Sequence, residues 1–270
     1  MAHSGFDLLA AARQEMIDEG FQPDFPPEVA DQLDALKTRA ASSTDGGVRD
    51  LRSMLWSSID NDTSRDLDQA EAAERVSAGI RVLIAIADVD SEVPIGSPID
   101  KHAASQTTSV YTGIRTFSML PEQLSTDLTS LNQDATRLAV VVDMVIAPDG
   151  STTSGGIYRA LVRNHAQLTY NGVGPWLEGS SAAPPKVAAS ADLAAQLKLQ
   201  DEAARILFDE RQRLGALNID RVEAEAIIAD GRVQGINTRE KNRATDQCIT
   251  EPERSRAPAP KDTAERNPAL

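Results

Sequence analysis

Apolar residues recur at helical intervals through FDLLAAARQEMIDE (6–19) and again through PEVADQLDALKTRAA (27–41), which predicts two short helices. Gly20 and the prolines after it separate the two, and SSTDGG (42–47) reads as a turn or linker. From residue 81 the period changes. RVLIAIADV (81–89) has the pattern of a buried strand, and RLAVVVDMVIAPDGS (137–151) is a second one closed by a Pro-Asp-Gly turn. SGGIYRALVRNHAQLTY (154–170) is placed to pair back as the partner of a hairpin. Residues 187–214 predict a long amphipathic helix with Leu193, Leu197, Ala204, Leu207 and Leu214 near one face. EAIIADGRVQGI (225–236) predicts another hairpin, turning at Asp230-Gly231. No internal repeat is visible. After about Arg243 the period is lost, and the proline-rich, mixed-charge residues 244–270 are expected to be disordered. The expected fold is α+β (mixed α/β). A short helical segment and linker (1–49) precede a domain over 50–243 with an antiparallel or mixed sheet and one long helix.

Composition narrows the chemistry. No run of about 18 apolar residues exists and no charged-then-apolar start, so a membrane span and secretion are not expected. Cys248 is the only cysteine, which rules out an intramolecular disulfide and a cysteine zinc site, and suits a reducing cytoplasm. His3, His102 and His165 are scattered, which leaves oxygen ligands and hard cations as the open metal chemistry. The net charge of −14 repels phosphate backbones at long range and by itself ranks nucleic-acid binding low. A bound divalent cation would invert that sign locally.

The densest chemistry lies in SIDNDTSRDLDQA (58–70), with Asp60, Asp62, Asp66 and Asp68. Three readings compete. Counted from Asp60, oxygen side chains fall in the register of a calcium loop as far as Glu71, but Arg65 occupies the position that needs glycine for a sharp turn. A solvated acidic turn is the plain alternative. The third is a magnesium site for phosphoryl chemistry, which needs several carboxylates within a few ångströms. Asp60, Asp66 and Asp68 differ by even numbers, so an extended chain would put them on one side.

The stretches that follow favour the third reading. SSIDNDTSRDLDQA, VLIAIADVDSEVPIGSPIDKHA, SVYTGIRTFSMLPEQLSTDLTSLN, RLAVVVDMVIAPDGS and RLGALNID occur in this order and resemble the catalytic RNB domain of the ribonuclease II/ribonuclease R exoribonucleases over roughly residues 50–243. MLPEQLSTDLTSLN is the most specific of them. The resemblance implies a hydrolytic enzyme that takes single-stranded RNA from its 3′ end and releases nucleoside 5′-monophosphates with Mg²⁺. It implies Asp60, Asp66 and Asp68 as the catalytic, metal-holding aspartates, with Asp62 and Gln69 as further members of the metal site. Tyr111 and Tyr170 match the tyrosines that hold the terminal nucleotide, the first by stacking on its base.

Two positions depart from the family pattern. Gln69 stands where a second adjacent aspartate is usual, and Ile219 where an aromatic residue closes the base stack from its far side. After TREKNRATD the family continues into a functional glutamate, a transition-state arginine and an S1 domain, so the chain is expected to be a truncated RNB domain. The alternative is a non-catalytic RNA-binding or regulatory protein on the same scaffold, for which Arg115, Arg137, Arg159 and Arg163 could line a basic groove.

Overall fold

The structure is a computed structural model that describes residues 6–38, 47–217, 223–229, 232–239 and 242–247. Two helices open it, α1 (Leu8–Asp18) and α2 (Pro27–Thr38). Strands β1 (Arg49–Asp50), β2 (Trp56–Asp60), β3 (Gln69–Val76) and β4 (Gly79–Ala87) follow, then α3 (Pro98–Gln106). A small hairpin of β5 (Val110–Tyr111) and β6 (Thr116–Phe117) precedes the long strands β7 (Thr136–Ile146) and β8 (Thr152–Thr169). Helices α4 (Tyr170–Leu177), α5 (Pro185–Ala188) and α6 (Ala191–Arg213) come next. The hairpin β9 (Glu223–Ala229) and β10 (Arg232–Arg239) and the short α7 (Arg243–Gln247) complete the described chain. Among the described residues no helix is long and apolar enough to cross a membrane.

The fold is α+β with a mixed sheet, as expected, and the sheet closes on itself. β2, β3, β4, β7 and β8 form a ring, because β8 pairs with β7 on one edge and with β2 on the other. The β7–β8 pairing is the antiparallel hairpin the sequence suggests, whereas β2 runs parallel to the second half of β8. Eighteen residues of β8 make both contacts feasible: Thr152 to Arg163 serve β7, and Asn164 to Thr169 serve β2.

Strand β4 explains its own unbroken apolar run. Leu83 and Ala85 face one core with Trp56, Leu67 and Val141, while Val82 and Ile84 face a second with Met144, Ile146 and Ala203. Alanines at 70, 72, 85, 139 and 160 line the first core, where a small closed sheet leaves little room for bulk. Helix α6 covers the other face.

Ser190 caps α6 by accepting from the Leu193 amide at 3.2 Å, so the single predicted helix over 187–214 is split before Ala191. Ala203 rather than Ala204 enters the core, and Leu214 is 70% exposed just past the helix end. The N-terminal helices dock on the domain. Val29 packs with Val93, Ile99 and Leu124, and Gln32 accepts from the Ile99 amide at 2.9 Å.

One buried acid in this sheet is fully provided for. Asp143 receives both arms of Arg81 at 2.9 and 2.6 Å and the Tyr158 hydroxyl at 2.9 Å. The Arg81 guanidinium holds its carboxyl below the usual range. Gly155 makes room for it, since a Cβ there would meet the Asp143 carboxyl carbon at 2.7 Å. A bulge between Asp143 and Met144 accommodates this approach.

Candidate active site

The parallel pairing of β2 with β8 builds the site. Asp60 is the last residue of β2 and lies opposite Thr169, the last of β8, so the chain delivers Asp60 and Tyr170 side by side at one end of the sheet. Antiparallel pairing would have sent one of them to the far end. The segment after Asp60 then loops out and returns through Asp68 into β3.

Leu67 fixes that loop. Its side chain is 1% exposed within the barrel core, its amide donates to Ser130 Oγ at 3.0 Å, and its carbonyl accepts from the Leu131 amide at 2.7 Å. The Asp68 carbonyl accepts from the Ala87 amide at 2.8 Å. The aspartates on either side of Leu67 are thereby held although, among the described residues, no ion pair reaches their charges. Arg65 faces away, bound to Glu122 at 3.0 Å. The loop is flanked by strands, which excludes the helix–loop–helix frame of a calcium loop.

A cavity of about 190 Å³ opens at this end, lined by Ser57, Ser58, Ile59, Asp60, Asp68, Gln69, Ala70, Glu71, Tyr170 and Gln200. It gathers Asp60, Asp68, Gln69 and Tyr170 of the residues the sequence singles out. Asp66 stands outside the lining but close enough that it and Asp60 act on Asp68. Asp68 keeps an exposed face yet is partly enclosed by the cavity. That enclosure first, and repulsion from Asp60 and Asp66 second, push its carboxyl above the usual range.

Tyr111 stands over the same charges from the β5–β6 hairpin. Its residue is 72% exposed, and its hydroxyl is pushed up by desolvation and by the fields of Asp66, Asp68 and Asp60. Asp62 turns elsewhere and accepts from Asn171 of α4 at 2.5 Å. Ile219 lies outside the described residues.

Four polar cavity residues lie outside the magnesium and nucleotide site expected from the sequence: Ser57, Ser58, Gln200, and Glu71, which entered only as the last position of the calcium register. Glu71 is 6% exposed and accepts from Gln69 Nε2 at 2.7 Å. A signal existed for two of them. Gln69 and Glu71 alternate on one strand and so share a face, and Gln200 interrupts the apolar stripe of Leu193 and Leu197 on α6. Behind the cavity, Arg243 of α7 grips Asp201 of α6 at 2.6 and 2.5 Å and the Leu177 carbonyl of α4 at 3.1 Å, locking the three helices together.

The donors are all oxygen, which suits a hard cation and not zinc or copper. Among the described residues no three carboxylate, imidazole or thiolate groups are gathered tightly enough to cage an ion. Mg²⁺ fits such a site, because it usually keeps several waters and takes one or two carboxylates instead of a complete protein cage. The arginines offered for a basic groove are largely committed. Arg159 pairs with Asp88 at 2.7 Å and Asp90 at 2.9 Å, Arg163 with Asp134 at 3.3 Å, and Arg137 with Asp127 at 3.6 Å.

Comparison with known proteins agrees with this architecture. Ribonuclease R 1 of Lactococcus lactis is 34% identical over 226 residues, which cover 83% of this chain and 27% of that protein. Mycoplasma genitalium RNase R in complex with double-stranded RNA superposes with a TM-score of 0.81 at 24% identity, covering 90% of this chain and 42% of that one. The same enzyme in complex with ribose-methylated single-stranded RNA gives 0.80 at 25% identity, covering 90% and 37%. The chain thus spans about a quarter of the length of the curated relatives it matches. The RNB domain family matches residues 48–251, well over half of the sequence, and the chain belongs to that family.

Proposed function

We propose that this chain carries the carboxylate cluster of a metal-dependent 3′→5′ exoribonuclease site acting on single-stranded RNA and releasing nucleoside 5′-monophosphates. The observation that carries the reading is the convergence of Asp60 and Asp68 on one cavity with Tyr170, with Asp66 close enough to raise the Asp68 carboxyl. A phosphate backbone would not approach such a cluster unaided. Asp60 and Asp68, with Asp66 beside them and the amide oxygen of Gln69, would hold Mg²⁺. When bound, that ion supplies charge neutralisation at the scissile phosphate and a more acidic water.

The remaining work falls to the chain's own side chains. Tyr170 borders the cavity beside Asp60 and limits where the terminal nucleotide can sit. The exposed ring of Tyr111 offers a stacking face to a base of any identity, which suits degradation without sequence preference. Leu67 and Ser130 keep the aspartates in place without contacting substrate.

The test is a gel assay on 5′-labelled single-stranded RNA with Mg²⁺, comparing the chain with Asp68→Asn. Shortening from the 3′ end that the substitution abolishes supports the reading. RNA retained without shortening by a folded chain would instead favour the non-catalytic RNA-binding scaffold.

A further inference from the structure

The cavity contains more acid than the aspartate loop brings to it. Glu71 lies on β3 two residues beyond Gln69, opposite Ser57 of β2, and is 6% exposed. An ionised carboxylate can only accept hydrogen bonds, so the Gln69 amide must turn its nitrogen toward Glu71, and it does so at 2.7 Å. That leaves the Gln69 oxygen as the amide atom available to the cavity. Two further buried polar groups border the same cavity. Among the described residues Ser57 Oγ and Gln200 Nε2 have no hydrogen-bond partner, although their residues are 2% and 1% exposed and both line this cavity. Buried donors are rarely left so, and these two are suited to hold the water that a hydrated cation brings with it.

We infer that Glu71 is a positioning residue of the cation site, acting through Gln69: it orients the amide oxygen as a ligand and supplies the negative charge that an amide at position 69 lacks. This inference rests on the cation site proposed above. It explains how a neutral residue is tolerated beside Asp68, since the charge is moved two residues along the same face of β3.

The test is calorimetric titration of the full chain with Mn²⁺ in the absence of RNA. Glu71→Gln keeps the shape and a hydrogen bond to Gln69 while removing the charge, and is expected to weaken Mn²⁺ binding by about tenfold or more. Gln69→Asp added to Glu71→Gln restores the charge on the same face and is expected to recover most of the affinity. A purely structural Glu71 would change the melting temperature of the metal-free chain and leave Mn²⁺ affinity alone, and that result overturns the inference. Should Glu71→Gln fail to fold, Gln69→Leu keeps the carboxylate and removes its link, and unchanged Mn²⁺ binding there overturns it equally. If Asp68→Asn abolishes binding and Glu71→Gln does not, Glu71 is excluded while the cation site stands. No Mn²⁺ binding by the unaltered chain removes both.

Discussion

Asp143 lies within the closed sheet and Asp68 at its edge, just before β3, and the two answer the problem of a crowded carboxylate in opposite ways. Asp143 has its counter-charge built in, with Arg81 in a two-armed grip and the Tyr158 hydroxyl as a third donor, and its carboxyl is held below the usual range. Asp68 has other acids for neighbours, and its carboxyl is pushed above that range by enclosure and then by Asp60 and Asp66. The first arrangement stabilises the fold and leaves nothing for a ligand to do. The second costs stability unless a bound cation offsets it, and a carboxyl perturbed in that way is a mark of a functional site.

The sharpest way to break this contrast is to neutralise Asp68. Asp68→Asn should reduce 3′-end trimming of single-stranded RNA by roughly 10³-fold, on the scale of losing a group that organises transition-state charge. Neutralising the partner of Asp143 should act on stability instead. Arg81→Met leaves a buried carboxylate unpaired and should cost about 3–5 kcal/mol in urea unfolding. Leu67→Ala, at the root of the aspartate loop, should cost about 2–5 kcal/mol and also loosen the site, so RNA trimming falls along with the unfolding midpoint.

Smaller effects should appear in the pH dependence. The Asp143 contribution is present above the ordinary carboxylate pKa and lost as pH falls through its lowered folded value. For Asp68 the sign is reversed: the folded state binds the proton more tightly, so stability is lost as pH rises from the ordinary value through the raised one. Metal-free Asp68→Asn should therefore melt slightly higher than the parent at neutral pH and equally at low pH, as scanning calorimetry can read.

Local signals carried much of this molecule. Strands β4 and β7 are visible as apolar runs because both faces are covered, and β8 follows from its turn with β7. The acidic loop is visible because four aspartates fall within nine positions, and the family resemblance chooses among its readings. Closure of the sheet is not visible, since the parallel pairing of β2 with β8 joins residues about a hundred positions apart with no turn to announce it. Yet that pairing is what sets Asp60 beside Tyr170. Glu71 was legible only as a position in a calcium register, because its role depends on Gln69, Ser57 and Gln200 meeting across three elements. Ser190 shows the limit on helix boundaries: a cap cuts a continuous apolar pattern that periodicity alone would extend.

The contrast between the two acids predicts different responses to a cation, and the melting temperature of the metal-free chain titrated with Mg²⁺ tests it most directly. A ligand held only by the folded state stabilises it by about 2.7 kcal/mol at a hundredfold excess over its dissociation constant. The melting temperature should rise with Mg²⁺ for the parent chain, and the rise should vanish in Asp68→Asn. An equal rise in both proteins, or none in the parent, would contradict the account.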